Sequence, residues 1–169
     1  MSTLQVVVMG VSGAGKSTVG ALLAHRLGLP YADGDDFHSQ ANKQKLSSGV
    51  PLDDRDRAPW LAEVGAWLAA QGAAVVACSA LKRSYRAQLL AAAPRAQFVY
   101  LRGERALLER RVKARTHHFM PVSLLDSQLA TLEPLEADEP GFTLELGDDT
   151  PQQLVEQATA RLQQPADAR

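Results

Sequence analysis

One octapeptide near the N-terminus limits what this chain can fold into. Gly10-Val11-Ser12-Gly13-Ala14-Gly15-Lys16-Ser17 fills every fixed position of the pattern G-x-x-x-x-G-K-[ST]. The preceding run, Leu4 to Met9, is apolar and rich in β-branched residues, as a strand buried on both faces must be. From about Lys16 a helix is expected, with Val19, Leu22, Leu23 and Leu27 on one face and Gly28 and Pro30 stopping it. A buried strand, a glycine loop and a helix N-terminus in that order form an anion cradle: backbone amides converge, and the helix dipole adds positive potential at the same point. The candidate contacts to a nucleotide's phosphates are Gly10, Ser12, Gly13, Ala14, Gly15, Lys16, Ser17 and Thr18. Lys16 can reach the β- and γ-phosphates, and the Ser17 hydroxyl is placed to coordinate Mg²⁺.

The rest of the chain repeats the alternation of strand and helix. Further strands are expected at Leu29–Ala32, Ala73–Ser79, Gln97–Leu101 and Phe142–Leu146. Between them lie helices at about 39–48, from near Pro59 through Leu68, at about 82–93, 104–115 and 123–132, and a last one after Thr150-Pro151. The strands are apolar along their whole length, which argues for a parallel sheet covered by helices on two faces. No repeat or linker divides the 169 residues, so one domain spanning 1–169 is expected.

The acids and arginines narrow the chemistry. A regulatory GTPase needs an N-K-x-D segment, and the one Asn-Lys pair, Asn42-Lys43-Gln44-Lys45, lacks the acid. Val75 to Ser79 ends without the aspartate that usually helps to hold Mg²⁺. Asp33-Gly34-Asp35-Asp36 instead closes the second strand, at the carboxyl edge where open α/β sheets bind ligands, and is expected beside the first strand. Asp33 is assigned to the Mg²⁺ side and Asp35 to the acceptor side as base. The pattern leaves an exchange of these roles open, and a solvated turn is the alternative. His38, close behind, either meets the acceptor or caps the next helix.

Arg111 and Arg115 share a helical face, with Arg105 and Arg110 nearby, and can close over transferring phosphate; the alternative is a solvated helix paired to Glu104 and Glu109. Lys82, Arg83 and Arg86 follow the third strand and could clamp a substrate carboxylate, unless they form a solvated face. Trp60 and Trp67, seven apart, read as core, and Cys78 as a small buried hydrophobe. His117-His118 lacks supporting ligands for a metal.

Composition excludes more than it selects. A formal net charge of −1 disfavours a nucleic-acid partner, and no apolar stretch approaches the roughly 20 residues that cross a bilayer. The short apolar N-terminus runs straight into the glycine motif and is not expected to be a signal peptide. A single cysteine allows no internal disulfide and suits a reducing cytoplasm.

Several longer segments carry a more specific likeness. They are Met9 to Ser17, Asp33-Gly34-Asp35-Asp36-Phe37-His38, Ser48 to Leu61 with Pro59-Trp60-Leu61 at its end, and Cys78 to Arg86. Arg111 to Arg115, His118-Phe119, Ser127-Gln128 and Leu132-Glu133-Pro134 follow. Together they resemble the gluconate kinases of the thermoresistant type, within the shikimate-kinase-like and nucleoside-monophosphate-kinase-like P-loop proteins. The resemblance covers about residues 6–150. It implies a three-layer α/β P-loop NTPase fold with a five-stranded parallel sheet and a helical lid at about 111–135. It also implies ATP with Mg²⁺, D-gluconate as the acceptor, and a cytoplasmic homodimer. On this resemblance Gly13 to Thr18 hold the phosphates and Ser17 and Asp33 the metal. Arg111 and Arg115 lie on the lid, and Asp33, Asp35, His38, Arg57, Lys82 and Arg86 on the substrate side. One departure stands out: Thr116-His117 replaces a glycine common just before His118-Phe119.

Overall fold

The computed structural model describes residues 3–115 and 122–164. Five strands form one parallel sheet: β1 (Gln5–Met9), β2 (Tyr31–Asp33), β3 (Ala74–Ala77), β4 (Ala96–Arg102) and β5 (Gly141–Glu145), in the order β2-β3-β1-β4-β5. Seven helices flank it: α1 (Lys16–Leu27), α2 (Gln40–Ser47), α3 (Asp54–Gln71), α4 (Arg83–Ala92), α5 (Arg105–Ala114), α6 (Val122–Thr131) and α7 (Pro151–Leu162). All five expected strands are present, with ends shifted by up to a few residues.

The central strands explain the architecture. Val6, Val7, Val8 and Met9 of β1 and Val75 and Val76 of β3 are completely buried, so both faces of the sheet need a cover. α1 packs against α7 and over β3, while α3 packs against α4. Burying a side chain such as Leu23 or Leu61 is worth about 1.5–3 kcal/mol each, and these helices bury several. Among the described residues, no helix is long and apolar enough to cross a membrane.

Two expectations need correction. β2 pairs with β3, not β1, so one strand separates the acidic turn from the glycine loop's own strand. The third long helix starts at Asp54, not near Pro59. Asp53 caps it, accepting from the Asp56 amide while the Asp56 side chain accepts from the Asp53 amide. This capping box outweighs the proline, which sits inside the helix on its exposed side and removes only one amide. The last helix does begin as the Thr150-Pro151 pair suggests, with a capping box closed by Gln153.

Candidate active site

The glycine loop joins β1 to α1 and turns back over the sheet's carboxyl edge. Gly13 has φ +83°, and a Cβ there would lie 2.9 Å from the Leu108 carbonyl, so the loop can tuck under α5 only with glycine. From α5, Arg111 Nη1 approaches the Gly13 and Ala14 carbonyls at 3.4 and 3.5 Å. Lys16 Nζ donates to the Val11 carbonyl at 3.1 Å, curling over the loop it belongs to. Burial lowers the Lys16 pKa and Arg115 adds to that, while Asp35, Cys78 and Asp33 oppose it. Arg111 and Arg115 border a cavity of about 210 Å³ with Gly15 and Thr18, closed on its far side by Asp149, Pro151 and Leu154. Those three were not foreseen: the Thr150-Pro151 pair signals only the start of a helix.

Opposite the loop stands the acidic turn. Ser17 Oγ donates to Asp33 Oδ2 at 2.6 Å, although β3 lies between their strands; α1 crosses β3 and carries Ser17 to β2. Asp33 Oδ1 accepts from the Asp35 amide at 3.0 Å and so caps a single 3₁₀ turn, Gly34–Phe37. Gly34, unlike Gly13, has no positive φ and is required for space alone: a Cβ there would lie 2.5 Å from the Ala77 carbonyl, so the turn could not rest on β3. The hydroxyl and carboxylate at Ser17 and Asp33 are hard oxygen donors that suit Mg²⁺. No cluster of three or more His, Cys, Asp or Glu ligands exists among the described residues. That donor set fits an ion held largely by phosphates and water.

Beyond the turn lies an inner pocket of about 70 Å³ bordered by Ser12, Lys16, Asp35, His38, Arg57 and Gln128. It shares Leu52 and Arg57 with an open outer cavity of about 520 Å³ that Asp54 and Lys82 also line. The Asp35 side chain is 83% exposed, whereas His38 is buried. His38 stacks on Trp60 with ring centroids 4.2 Å apart, and Trp60 Nε1 donates to the Gly34 carbonyl at 2.7 Å. Burial lowers the His38 pKa, with Arg57 and Lys43 adding to the effect and Asp35 opposing it. Arg57 Nη1 donates to the Tyr85 hydroxyl at 3.1 Å, and Lys82 Nζ to Asp54 Oδ1 at 3.2 Å. Both cations approach the Tyr85 ring, at 5.4 and 5.6 Å from its centroid.

The structure thus gathers Lys16, Asp33, Asp35, His38, Arg57 and Lys82 around one crevice. It does not bring Arg86 there. Arg86 is fully buried, donating to both Glu139 oxygens at 2.6 and 3.0 Å and to the Ala80 carbonyl at 2.9 Å. Ala80 has φ +45°, a left-handed conformation unusual for a residue with a Cβ. The guanidinium therefore holds the bend after β3 rather than a substrate. Arg83 is likewise drawn away to Glu136 and Asp138. Cys78 is buried, and burial pushes its thiol up to about 12, far from a nucleophile's range. Trp60 is core as expected, but it also forms the wall behind His38.

Sequence reasoning left out Gln128, whose Oε1 accepts from the Ser12 amide at 2.7 Å and ties α6 to the glycine loop. The motif around it was visible; its contact across 116 positions was not. Thr116, His117, His118 and Phe119 lie outside the described residues, so the departure noted there has no structural account.

Comparison with known proteins places the chain in a family. A family model described as an AAA domain matches residues 6–135. A gluconokinase of Gluconobacter oxydans is 47% identical, over 94% of this chain and 90% of its own length. The thermoresistant gluconokinase of Escherichia coli is 42% identical, over 79% of this chain and 78% of its own. The crystal structure of a gluconokinase from Sinorhizobium meliloti superimposes with a TM-score of 0.87 at 44% identity, covering 95% of this chain and 93% of that one. On this likeness in sequence and in fold, the chain belongs to the gluconokinase family of P-loop kinases.

Proposed function

We propose that this protein transfers the γ-phosphate of ATP to D-gluconate, giving 6-phospho-D-gluconate and ADP. One observation carries the proposal beyond family membership. The inner pocket admits only a slender group, yet it opens toward Arg57 and Lys82 in the wider cavity. A linear sugar acid matches that shape: a terminal CH₂OH fits inside, and the carboxylate extends outward to the two cations.

In the proposed reaction Lys16 and the loop amides hold the β- and γ-phosphates, and Arg111 and Arg115 neutralise charge from the lid side. The acceptor oxygen bonds to the γ-phosphorus as the bond to ADP breaks, and the hydroxyl proton passes to Asp35. Ser17 and Asp33 would hold Mg²⁺, which supplies charge neutralisation on the phosphates when bound. The lid is taken as about residues 111–135 of a single domain spanning 1–169. The family reading extends to a cytoplasmic homodimer with no nucleic-acid or membrane partner.

A shikimate kinase would bring a ring and a nucleoside-monophosphate kinase a phosphate to the acceptor pocket; the likeness to gluconokinases at 42–47% identity favours gluconate over both. A regulatory ATPase would need no acceptor at all. A coupled ADP-release assay with Mg·ATP separates these readings, using D-gluconate, shikimate, glycerate and nucleoside monophosphates beside a control without acceptor. Release dependent on gluconate is expected. Release that ignores the acceptor, or prefers another, would overturn the assignment.

A further inference from the structure

Asn42 is buried in α2, a helix otherwise polar and largely exposed. Its Nδ2 donates to the Asp56 carbonyl at 2.9 Å. A carbonyl can only accept, so chemistry settles which end of the amide is the nitrogen. The same Nδ2 lies 3.3 Å from His38 Nδ1 and has a second hydrogen to give. Nδ1 must therefore accept, which in a neutral imidazole places the ring hydrogen on Nε2. Stacking on Trp60, with 17° between the planes, fixes the direction in which Nε2 points.

Nε2 lies 4.0 Å from Asp35 Oδ1. That is too long for a hydrogen bond, but one oxygen placed between them can lie about 2.8 Å from each. His38 and Asp35 both border the inner pocket, so such an oxygen would be inside it.

We propose that Asn42 is a positioning residue that holds His38 in its Nε2–H tautomer and so orients the acceptor hydroxyl toward Asp35. This rests on the reading above, in which that hydroxyl enters the inner pocket. The consequence concerns a single hydrogen. A hydroxyl that accepts from Nε2–H has its own hydrogen left for the carboxylate. In the other tautomer Nε2 is an acceptor and competes with Asp35 for that hydrogen, so a share of bound acceptor faces the wrong way.

Two substitutions separate this role from a simple tie between α2 and α3. Asn42→Leu and Asn42→Asp both lose the bond to the Asp56 carbonyl. Only Asn42→Asp, whose carboxylate accepts from Nδ1–H, puts the hydrogen of the neutral ring on Nδ1; kcat is therefore compared at about pH 9, above the range in which that carboxylate would hold an imidazolium whose Nε2–H still donates. The expected result is a lower Tm for both, the more so in Asn42→Asp, whose buried carboxylate faces the Asp56 carbonyl oxygen, with unchanged ATP affinity and a kcat with gluconate about 10-fold or more lower in Asn42→Asp than in Asn42→Leu. Long-range ¹H–¹⁵N NMR of the imidazoles, assigned by loss of signals in His38→Gln, should show Nε2–H in the wild type. Equal kcat in the two variants, or Nδ1–H in the wild type, would overturn the proposal. The NMR arm still decides if Asn42→Asp does not fold. It also decides if gluconate is not the acceptor, an outcome that the wild-type assay reveals separately.

Discussion

The two sides of the crevice are built in opposite ways. On the nucleotide side the recognising groups belong mainly to one continuous segment, Gly10 to Thr18, and many of them are backbone. Their arrangement needs a glycine at the one position where α5 presses close, and a helix N-terminus behind it. On the acceptor side the groups come from the 3₁₀ turn, α3, the bend after β3 and α6, and they are side chains held by other side chains. A local device can be recognised from spacing and depends less on distant residues, although Gln128 reaches its Ser12 amide from α6. An assembled one depends on buried supports that never touch a substrate. The nucleotide side should therefore fail at its own residues, and the acceptor side at its supports as well.

Three perturbations sharpen this contrast. The largest effect is expected for Lys16→Ala, which removes the cation on the transferring phosphate and should cost about 10³-fold or more in transfer with little change in unfolding midpoint. A variant retaining substantial turnover would break the account of the loop. Arg86→Leu comes next. It leaves Glu139 buried without its partner, which should cost about 3–5 kcal/mol in denaturant unfolding. Wild-type stability with a raised KM for gluconate would instead restore Arg86 to the substrate side.

The smallest effect concerns pH. The His38 pKa is held below 6.5 by burial, aided by Arg57 and Lys43 and opposed by Asp35. Folding thus favours the neutral ring. Its contribution to stability is complete above pH 6.5 and is lost as pH falls through the lower folded value. As pH falls below 6.5, Tm should fall more steeply in the wild type than in His38→Gln. Parallel slopes would remove His38 from this role.

How much could be read beforehand follows the same division. Motif and periodicity placed the five strands and the phosphate loop, because both are written in adjacent residues. The acidic turn was found, but its position next to β3 was not, since strand order depends on how helices cross the sheet. Arg86 shows the limit most clearly. Beside Lys82 it looked like a substrate clamp, and only its partnership with Glu139, 53 positions away, reveals a support for the strained bend at Ala80. Asn42 was noticed solely for the guanine-reading pattern it fails to complete; its bonds to His38 and Asp56 exist only in the folded chain.

The central claim is that Asp35 serves the acceptor and not the nucleotide. It is tested most directly in Asp35→Asn, by measuring ATP affinity in an equilibrium titration and transfer to gluconate in a single turnover. The account predicts ATP affinity close to wild type, with transfer slower by about 10²–10⁴-fold. Full-speed transfer would contradict it, as would a loss confined to ATP affinity.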